Sequence, residues 1–241
     1  MLGDERFVSL WSAPMSELRS VLPSTVAIAE RADPISDDAT EEVLLRAERS
    51  YVAGAILRRR AEFATGRFCA RAALASLGVR GADHTAITVG GRREPIWPTG
   101  IVGSITHCEG HFAAAVAHSS DIRAVGIDVE RHAPIPEAVV AATSWPDELA
   151  ALAADSSAIW PTVLFSAREA IYKAWYPVAG QWLGHHDVRL EIDPATGRFD
   201  VTFVGAIAPL AERLHLTALE GAARWNDEFV FSAVWVNGDQ L

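Results

Sequence analysis

Two stretches decide the fold of this chain: Val125-Gly126-Ile127-Asp128-Val129-Glu130 and Phe165-Ser166-Ala167-Arg168-Glu169-Ala170-Ile171-Tyr172-Lys173-Ala174-Trp175. The first is an apolar run whose alternation predicts a strand, with the carboxylates of Asp128 and Glu130 on the same side. The second has helical spacing and carries a third carboxylate, Glu169, with Lys173 one turn later. Three hard oxygen ligands and one cation at a mid-chain junction indicate a site for magnesium and a phosphate.

Each part of this pattern also has an ordinary structural interpretation. Asp128 and Glu130 could form a solvated strand end, and Glu169 with Lys173 could form a surface ion pair worth roughly 0.2–0.5 kcal/mol. The composition favours a chemical role for the lysine. Of 21 basic residues, only Lys173 is not arginine, and a buried lysine gives up a proton far more readily than arginine does.

Composition and charge narrow the classes of function. The 241 residues are 50% hydrophobic and 22% charged, which is enough for one large domain or two small ones. A net charge of −10 argues against nucleic acid as a partner, and no apolar stretch approaches the roughly 20 residues that span a bilayer. Two cysteines, Cys69 and Cys108, without CxxC spacing, argue against a disulfide framework and against zinc. With no secretory signal at the amino terminus, we expect a cytoplasmic protein.

A long helix is predicted at about residues 54–77, ended by Gly78. Its apolar face is interrupted by two arginines, and the residues of this face are Ile56, Arg60, Phe63, Arg67, Ala70, Leu74 and Leu77. Arg59 flanks them. The arginines could lie at the solvent-exposed edge of the helix face, with their aliphatic stems packed on apolar surface. Alternatively they could form an anion pocket, because a guanidinium matches phosphate geometry.

The remaining pattern predicts mainly strands, in two halves that share a long helix plus several strands and meet near residues 119–123. Strands are expected at Phe7–Trp11 (or coil), Thr25–Ala29, Ile101–Cys108, Phe112–Ala117, Ile122–Ile127, Val188–Ile192, Phe199–Phe203, Leu214–Leu219, Ala222–Trp225 and Phe229–Val236. Further helices are expected at Thr40–Ala47, Glu148–Ala154 and Pro161–Trp175, and a loop at Asp33-Pro34 with Asp37-Asp38.

Five pieces, in their order and spacing, resemble the 4′-phosphopantetheinyl transferases of the surfactin-synthetase type, in particular the branch similar to enterobactin synthetase component D. The pieces are Arg59 to Arg67 with Cys69-Ala70-Arg71, then 92–98, 102–108, 126–130 and 165–175. The resemblance covers residues 40–190. It implies an α+β (α/β) pseudo-twofold fold with subdomains 1–120 and 121–241. Each would pack a long helix on a small, mainly antiparallel sheet, with the active site between them.

The resemblance also implies roles for individual residues. Mg²⁺ on the coenzyme A pyrophosphate would be bound by Asp128, Glu130 and Glu169. Coenzyme A would be bound by Arg59, Arg67, Arg92, Ser104, His107 and Arg168, with Arg92 the candidate for the 3′-phosphate. The family often has lysine at the positions of Arg92 and Arg168. Alignment favours Arg59 as the pocket arginine, whereas the helix face favours Arg60, and a lone histidine such as His107 can also be purely structural.

The implied reaction transfers 4′-phosphopantetheine from coenzyme A to a serine of an apo acyl or peptidyl carrier protein, in a fatty-acid, polyketide, peptide or siderophore pathway. Glu169 would act as base, directly or through a metal-bound water, and Lys173 would protonate the departing adenosine 3′,5′-bisphosphate. The enzyme is expected to be a monomer. Two alternatives remain: another Mg²⁺-dependent phosphodiesterase or nucleotide hydrolase, and a non-catalytic coenzyme A-binding module.

Overall fold

The structure is a computed structural model that describes residues 17–156 and 159–238, and its fold is α+β. The helices are α1 Glu17–Ser20, α2 Asp37–Val43, α3 Arg46–Arg49, α4 Leu57–Ser76, α5 Glu137–Thr143, α6 Pro146–Leu152, α7 Trp160–Ala179 and α8 Ala208–Arg213. The strands are β1 Ala27–Arg31, β2 Thr88–Val89, β3 Pro95–Ile96, β4 Ile101–Cys108, β5 His111–His118, β6 Ile122–Arg131, β7 Val188–Ile192, β8 Arg198–Phe203, β9 Glu220–Trp225 and β10 Phe229–Asn237. None of the helices in these ranges is long and apolar enough to cross a membrane.

The amino-terminal half is a three-stranded antiparallel sheet, with strand order β1-β5-β4, and α4 packs on one face. The central strand β5 is buried along 112–117 because both of its faces are covered. Phe112 and Val116 pack in the cluster that includes α4. Ala113 and Ala117 pack in a second cluster with the other half. The uninterrupted apolar run of β5 therefore reflects its position between two layers.

The carboxy-terminal half is a five-stranded antiparallel sheet, with strand order β6-β10-β9-β8-β7, and α7 packs on one face. Along β6, Val125, Ile127 and Val129 lie in the cluster shared with β5, between the two sheets. Ala124 packs in the cluster that includes α7. The layers are thus α4, sheet, sheet and α7, which confirms the expected pair of halves, each with a long helix on a mainly antiparallel sheet.

The two sheets also meet edge to edge, at β4 and β6, through side-chain hydroxyls. Ser104 Oγ accepts a hydrogen bond from Ile127 N at 3.1 Å, and Thr106 Oγ1 accepts one from Val129 N at 3.2 Å. Ser104 and Thr106 are both buried, so these hydroxyls satisfy backbone N–H groups that would otherwise be costly to bury. We call this contact the hydroxyl seam.

A buried ion pair, the amino-terminal brace, ties α4 to the segments around it. Arg71 Nη1 donates to both carboxylate oxygens of Glu48, at 2.8 and 3.0 Å, and Arg71 Nη2 donates to Val43 O at 2.6 Å. The same carboxylate accepts from Ile87 N at 2.8 Å and from Leu45 N at 2.9 Å. Every partner in this brace belongs to the amino-terminal half.

The carboxy-terminal brace repeats this arrangement in the other half. Arg168 Nη2 donates to both oxygens of Glu148, at 2.8 and 2.6 Å, and Arg168 Nε donates to His185 O at 3.0 Å. Glu148 also accepts from Leu190 N at 2.8 Å and from Trp145 N at 3.2 Å. In both halves a glutamate of a short helix joins an arginine of the long helix to a backbone N–H further along the chain. The repeat agrees with the expected pseudo-twofold fold.

Most expected elements are confirmed, and the differences have physical reasons. Residues 214–219 are not a strand, because α8 occupies Ala208–Arg213 and a turn follows it. Asp37 and Asp38 are not in a loop but form the first turn of α2, where negative charge favours the helix dipole. The strand expected at Ile122–Ile127 continues to Arg131. The element expected at Phe7–Trp11 lies outside the described residues.

Candidate active site

An ion pair between β6 and α7 lies at the centre of the candidate site. Lys173 Nζ donates to Asp128 Oδ1 at 2.7 Å and to Ile127 O at 3.2 Å. Asp128 is buried, and the Lys173 side chain is 26% exposed. Lys173 therefore pairs with Asp128 rather than with Glu169, which corrects the expectation that Glu169 and Lys173 face each other along the helix.

Gly126 permits this pair, because α7 lies directly against the backbone of β6 at this point. A Cβ at Gly126 would lie 2.8 Å from Ala174 N and 2.9 Å from the carbonyl carbon of Ala170, and closer still to its oxygen. Glycine lets two backbones approach in this way. Asp128 is two residues further along the same face of β6, and Lys173 is one turn from Ala170, so the two side chains meet.

The two carboxylate oxygens of Asp128 have different surroundings. Oδ1 accepts from Lys173 and, at 3.2 Å, from the hydroxyl of Thr106. Oδ2 is buried and has no hydrogen-bond partner among residues 17–156 and 159–238. A buried carboxylate oxygen normally has a donor, so Oδ2 could serve as a ligand for a cation.

Glu130 and Glu169 surround Asp128 with further negative charge. Burial, followed by the charge of Asp128, raises the pKa of Glu130 to about 7, although Lys173 opposes this shift. Burial and the charge of Asp128 also raise the pKa of Glu169. These shifts indicate that the carboxylates repel one another without a cation. Within residues 17–156 and 159–238, however, no three His, Cys, Asp or Glu side chains are arranged to hold a metal ion as they stand.

Arg59 and His107 bring α4 and β4 together beside this acidic group. Arg59 Nη1 lies 3.3 Å from His107 Nε2 and 3.3 Å from a carboxylate oxygen of Glu62. Burial lowers the pKa of His107, so its neutral ring can accept from the guanidinium. Arg60 instead pairs with Glu41. Of the two adjacent arginines, Arg59 is therefore the one next to His107.

Three of the expected coenzyme A contacts are engaged inside the protein. Arg67 Nε donates to Ile87 O at 3.0 Å, and burial lowers the pKa of Arg67 to about 10. Ser104 belongs to the hydroxyl seam, and Arg168 belongs to the carboxy-terminal brace, where its side chain is 1% exposed. The structure thus commits these polar groups to packing contacts, because buried donors need fixed partners. It does not support direct phosphate contacts for Ser104 and Arg168.

Arg92 lies on the exposed turn between β2 and β3, where its backbone N–H donates to Glu94 at 2.8 Å. Burial raises the pKa of Tyr172 on α7, and the positive charge of Arg92 opposes this rise. Arg92 therefore lies close enough to α7 for its charge to act there, from the amino-terminal half. Three expected coenzyme A contacts, Arg59, Arg92 and His107, thus lie on the amino-terminal side of the site, and we call the region between them and α7 the cleft.

Sequence reasoning missed three side chains at the site. Trp182 is 59% exposed and packs on Tyr172, with ring centroids 5.0 Å apart. His185 Nε2 lies 3.9 Å from Glu169 Oε1. Thr106, the hydroxyl on Asp128, could have been noticed because Ser104 and Thr106 alternate along β4. For Trp182 and His185, the only signal in the sequence was a group of aromatic residues, Trp182, His185 and His186, soon after the predicted helix.

Comparison with known proteins shows the family of this chain. The family model for the 4′-phosphopantetheinyl transferase N-terminal domain matches residues 47–117, and that for the 4′-phosphopantetheinyl transferase superfamily matches residues 124–233. The 4′-phosphopantetheinyl transferase Svp of Streptomyces mobaraensis is 38% identical over 91% of this chain and 89% of that protein. PptT of Mycobacterium tuberculosis is 38% identical over 87% and 92%, respectively. Enterobactin synthase component D of Salmonella typhi is 37% identical over 49% of each chain.

Proposed function

Because this chain belongs to the 4′-phosphopantetheinyl transferase superfamily, we propose that its acidic cleft binds Mg²⁺ against the pyrophosphate of coenzyme A. The resemblance seen in the sequence is thereby confirmed, with similarity to component D limited to about half of each chain. The protein is a 4′-phosphopantetheinyl transferase. It transfers the 4′-phosphopantetheine group of coenzyme A to a carrier protein, leaving adenosine 3′,5′-bisphosphate.

The observation that carries the proposed metal site is the buried Oδ2 of Asp128, which has no partner in the part of the chain that the structure describes. Glu130 and Glu169 add hard oxygen ligands whose raised pKa values reflect mutual repulsion as well as burial, and a dication would relieve that repulsion. Mg²⁺ usually binds one or two carboxylates together with substrate phosphates and water. The carboxylates therefore need not form a complete set before coenzyme A binds.

Mg²⁺ held by these carboxylates would neutralise the negative charge that builds up on the pyrophosphate. Arg59, Arg92 and His107 border the cleft and are the proposed contacts for the coenzyme A phosphates, with Arg92 on the 3′-phosphate. Arg67 remains a candidate within α4, because its Nη2 reaches Thr88 O only at the long distance of 3.5 Å. Arg168 and Ser104 are not needed in this set, since their polar groups already have buried partners.

Glu169 and Lys173 are the proposed catalytic residues. Glu169 Oε accepts the proton of the carrier serine, directly or through water, while the serine oxygen attacks the phosphorus next to pantetheine. The new P–O bond to serine forms as the bond to adenosine 3′,5′-bisphosphate breaks. Lys173 Nζ gives a proton to the leaving group. A raised pKa of Glu169, caused by burial and by Asp128, makes it a stronger base than an exposed carboxylate.

The reaction is tested by mass spectrometry of an apo carrier protein incubated with coenzyme A and the enzyme. We expect the carrier to gain one phosphopantetheine only when Mg²⁺ is present. Glu169→Gln should lower kcat about 100-fold or more, with little change in coenzyme A affinity measured by calorimetry without Mg²⁺, because Glu169 is also a proposed metal ligand. Glu191→Gln, an exposed change on β7, is the matched control. Equal losses of turnover and affinity in Glu169→Gln would contradict its role as base.

The alternatives predict different products in the same assay. A hydrolase would release adenosine 3′,5′-bisphosphate from coenzyme A without any carrier, and a binding module would take up coenzyme A without transfer. Lys173→Ala separates these further, because a catalytic acid affects turnover far more than binding. A Lys173→Ala protein with unchanged transfer would contradict the proposed acid.

We also infer that the protein is a cytoplasmic monomer whose subdomains, 1–120 and 121–241, enclose the cleft. The sheets and the braces support the division, since each belongs to one side of it, whereas α1 packs across it on β9 and β10. Cys69 and Cys108 are free thiols, which suits a reducing compartment. Light scattering of the purified protein tests the monomer, and a mass of twice 26.0 kDa would contradict it.

A further inference from the structure

We propose that Thr106 is a positioning residue, which holds Asp128 in the orientation that presents Oδ2 to the cation. This inference rests on the proposed function, because the cation is the proposed Mg²⁺. Thr106 itself touches neither substrate nor metal in this scheme. It acts through Asp128.

The hydrogen bonds of the Thr106 hydroxyl have one consistent direction. Val129 N is a donor, so Thr106 Oγ1 accepts from it at 3.2 Å. The hydroxyl proton is then available for Asp128 Oδ1, also at 3.2 Å. Thr106 is buried, and its Oγ1 is held by the backbone of the neighbouring strand. A hydroxyl fixed in this way can orient the carboxylate.

Asp128 is therefore held from two directions at a single oxygen. Thr106 approaches Oδ1 from β4, in the amino-terminal half, and Lys173 approaches it from α7 at 2.7 Å. Two donors on Oδ1 oppose rotation of the carboxylate and leave Oδ2 as the oxygen without a described partner. Removal of the Thr106 hydroxyl would leave Lys173 as the remaining described donor to the Asp128 side chain. The flexible lysine amine can follow the carboxylate as it rotates, so it would not fix the orientation of Asp128 alone.

Ser104 provides a matched control within the same seam. It lies two residues before Thr106, its Oγ accepts from Ile127 N at 3.1 Å, and it is equally buried. Among the described residues, no hydrogen bond joins Ser104 to Asp128. Ser104→Ala therefore weakens the hydroxyl seam without removing a donor from the carboxylate. Thr106→Ser keeps both bonds of the hydroxyl and is the conservative rescue.

The experiment measures thermal unfolding of each variant at a fixed concentration of coenzyme A, with increasing Mg²⁺. The readout is the Mg²⁺ concentration that gives half of the coenzyme A-dependent rise in Tm, which does not depend on turnover. We expect Thr106→Val to raise this concentration about tenfold, as loss of an outer-shell partner typically does. Thr106→Ser and Ser104→Ala should stay within about twofold of the wild type, although Ser104→Ala should lower the Tm without ligand.

Three results would overturn the inference. An unchanged Mg²⁺ midpoint in Thr106→Val would show that the Thr106 hydroxyl does not orient the Asp128 carboxylate for metal binding. An equal increase in Ser104→Ala would assign the effect to the seam as a whole. A wild type with no Mg²⁺ response would remove the proposed metal site itself, which distinguishes that failure from the first two. If Thr106→Val does not fold, Thr106→Ala is measured against the same criteria.

Discussion

Replacing Gly126 with alanine should push α7 away from β6. The new Cβ would lie 2.8 Å from Ala174 N and 2.9 Å from the carbonyl carbon of Ala170, whereas comfortable contacts between carbon atoms are about 3.5–4.0 Å. The opposing atoms are helix backbone, so they cannot move aside as the end of a flexible side chain would. Separation of more than about 1 Å between β6 and α7 is therefore needed, because the oxygen of Ala170 would be closer still.

The expected cost follows from this backbone contact. Overpacking a core typically costs about 1–3 kcal/mol, and a rigid neighbour places Gly126→Ala at about 3 kcal/mol or more. For a chain of this size, that corresponds to a fall in Tm of roughly 6–12 °C. The same shift moves Lys173 and Glu169 relative to Asp128, and a misplacement of about 1 Å can reduce turnover about 100-fold.

Urea unfolding followed by tryptophan fluorescence, together with carrier modification under saturating coenzyme A, checks this prediction. Gly54→Ala is the control, since a Cβ at Gly54 would meet no described atom within 4 Å. We expect it to be neutral or slightly stabilising. A Gly126→Ala protein as stable and as active as Gly54→Ala would refute the argument that close backbone approach positions the site.

Three further predictions concern buried ionisable groups. Arg168→Met should lower the free energy of unfolding by about 3–5 kcal/mol, and Arg71→Met by a similar amount, because each substitution leaves a buried glutamate without its cationic partner. Urea titration measures both, and a loss below about 1 kcal/mol would count against the braces. Glu130 keeps its proton to about pH 7 in the folded, metal-free protein but to only about pH 4.3 when unfolded. Stability in EDTA should therefore fall by about 1–2 kcal/mol as pH rises from about 5 to 7, after allowance for screening at a partly exposed group, and Glu130→Gln should flatten this slope; an unchanged slope would reject the assignment. Burial raises the pKa of both Cys69 and Cys108 to about 12, so iodoacetamide should modify them slowly at about pH 8 until urea unfolds the chain; rapid labelling of the folded protein would contradict this.

The strands and long helices could be predicted because their patterns reflect local geometry. The apolar run of β5 and the alternation at Asp128 and Glu130 both follow from burial on sheet faces. Residues 214–219 were assigned wrongly because alternating leucines also suit the turn after a short helix, where Leu216 and Leu219 are buried. Short apolar segments do not distinguish these structures.

The site was less predictable, because spacing indicates which face a side chain occupies but not its partner. Arg168 was expected to meet a phosphate, yet its partner is Glu148, 20 residues earlier in the chain. Lys173 was expected beside Glu169, yet the close approach at Gly126 brings it to Asp128. Such pairs depend on which elements pack together, and this information is distributed over the whole chain.

The single ε-amine of this protein, Lys173, lies in the middle of α7. A lysine-specific protease therefore has one peptide bond to cut in all 241 residues, and that bond is protected while α7 remains helical. Limited digestion would yield two fragments at a rate set by the opening of this helix alone. Ligands that close the cleft should slow the cut. Because the chain has a single lysine, the rate of this cleavage reports the local opening of α7, the helix that positions the active site, without any engineered label.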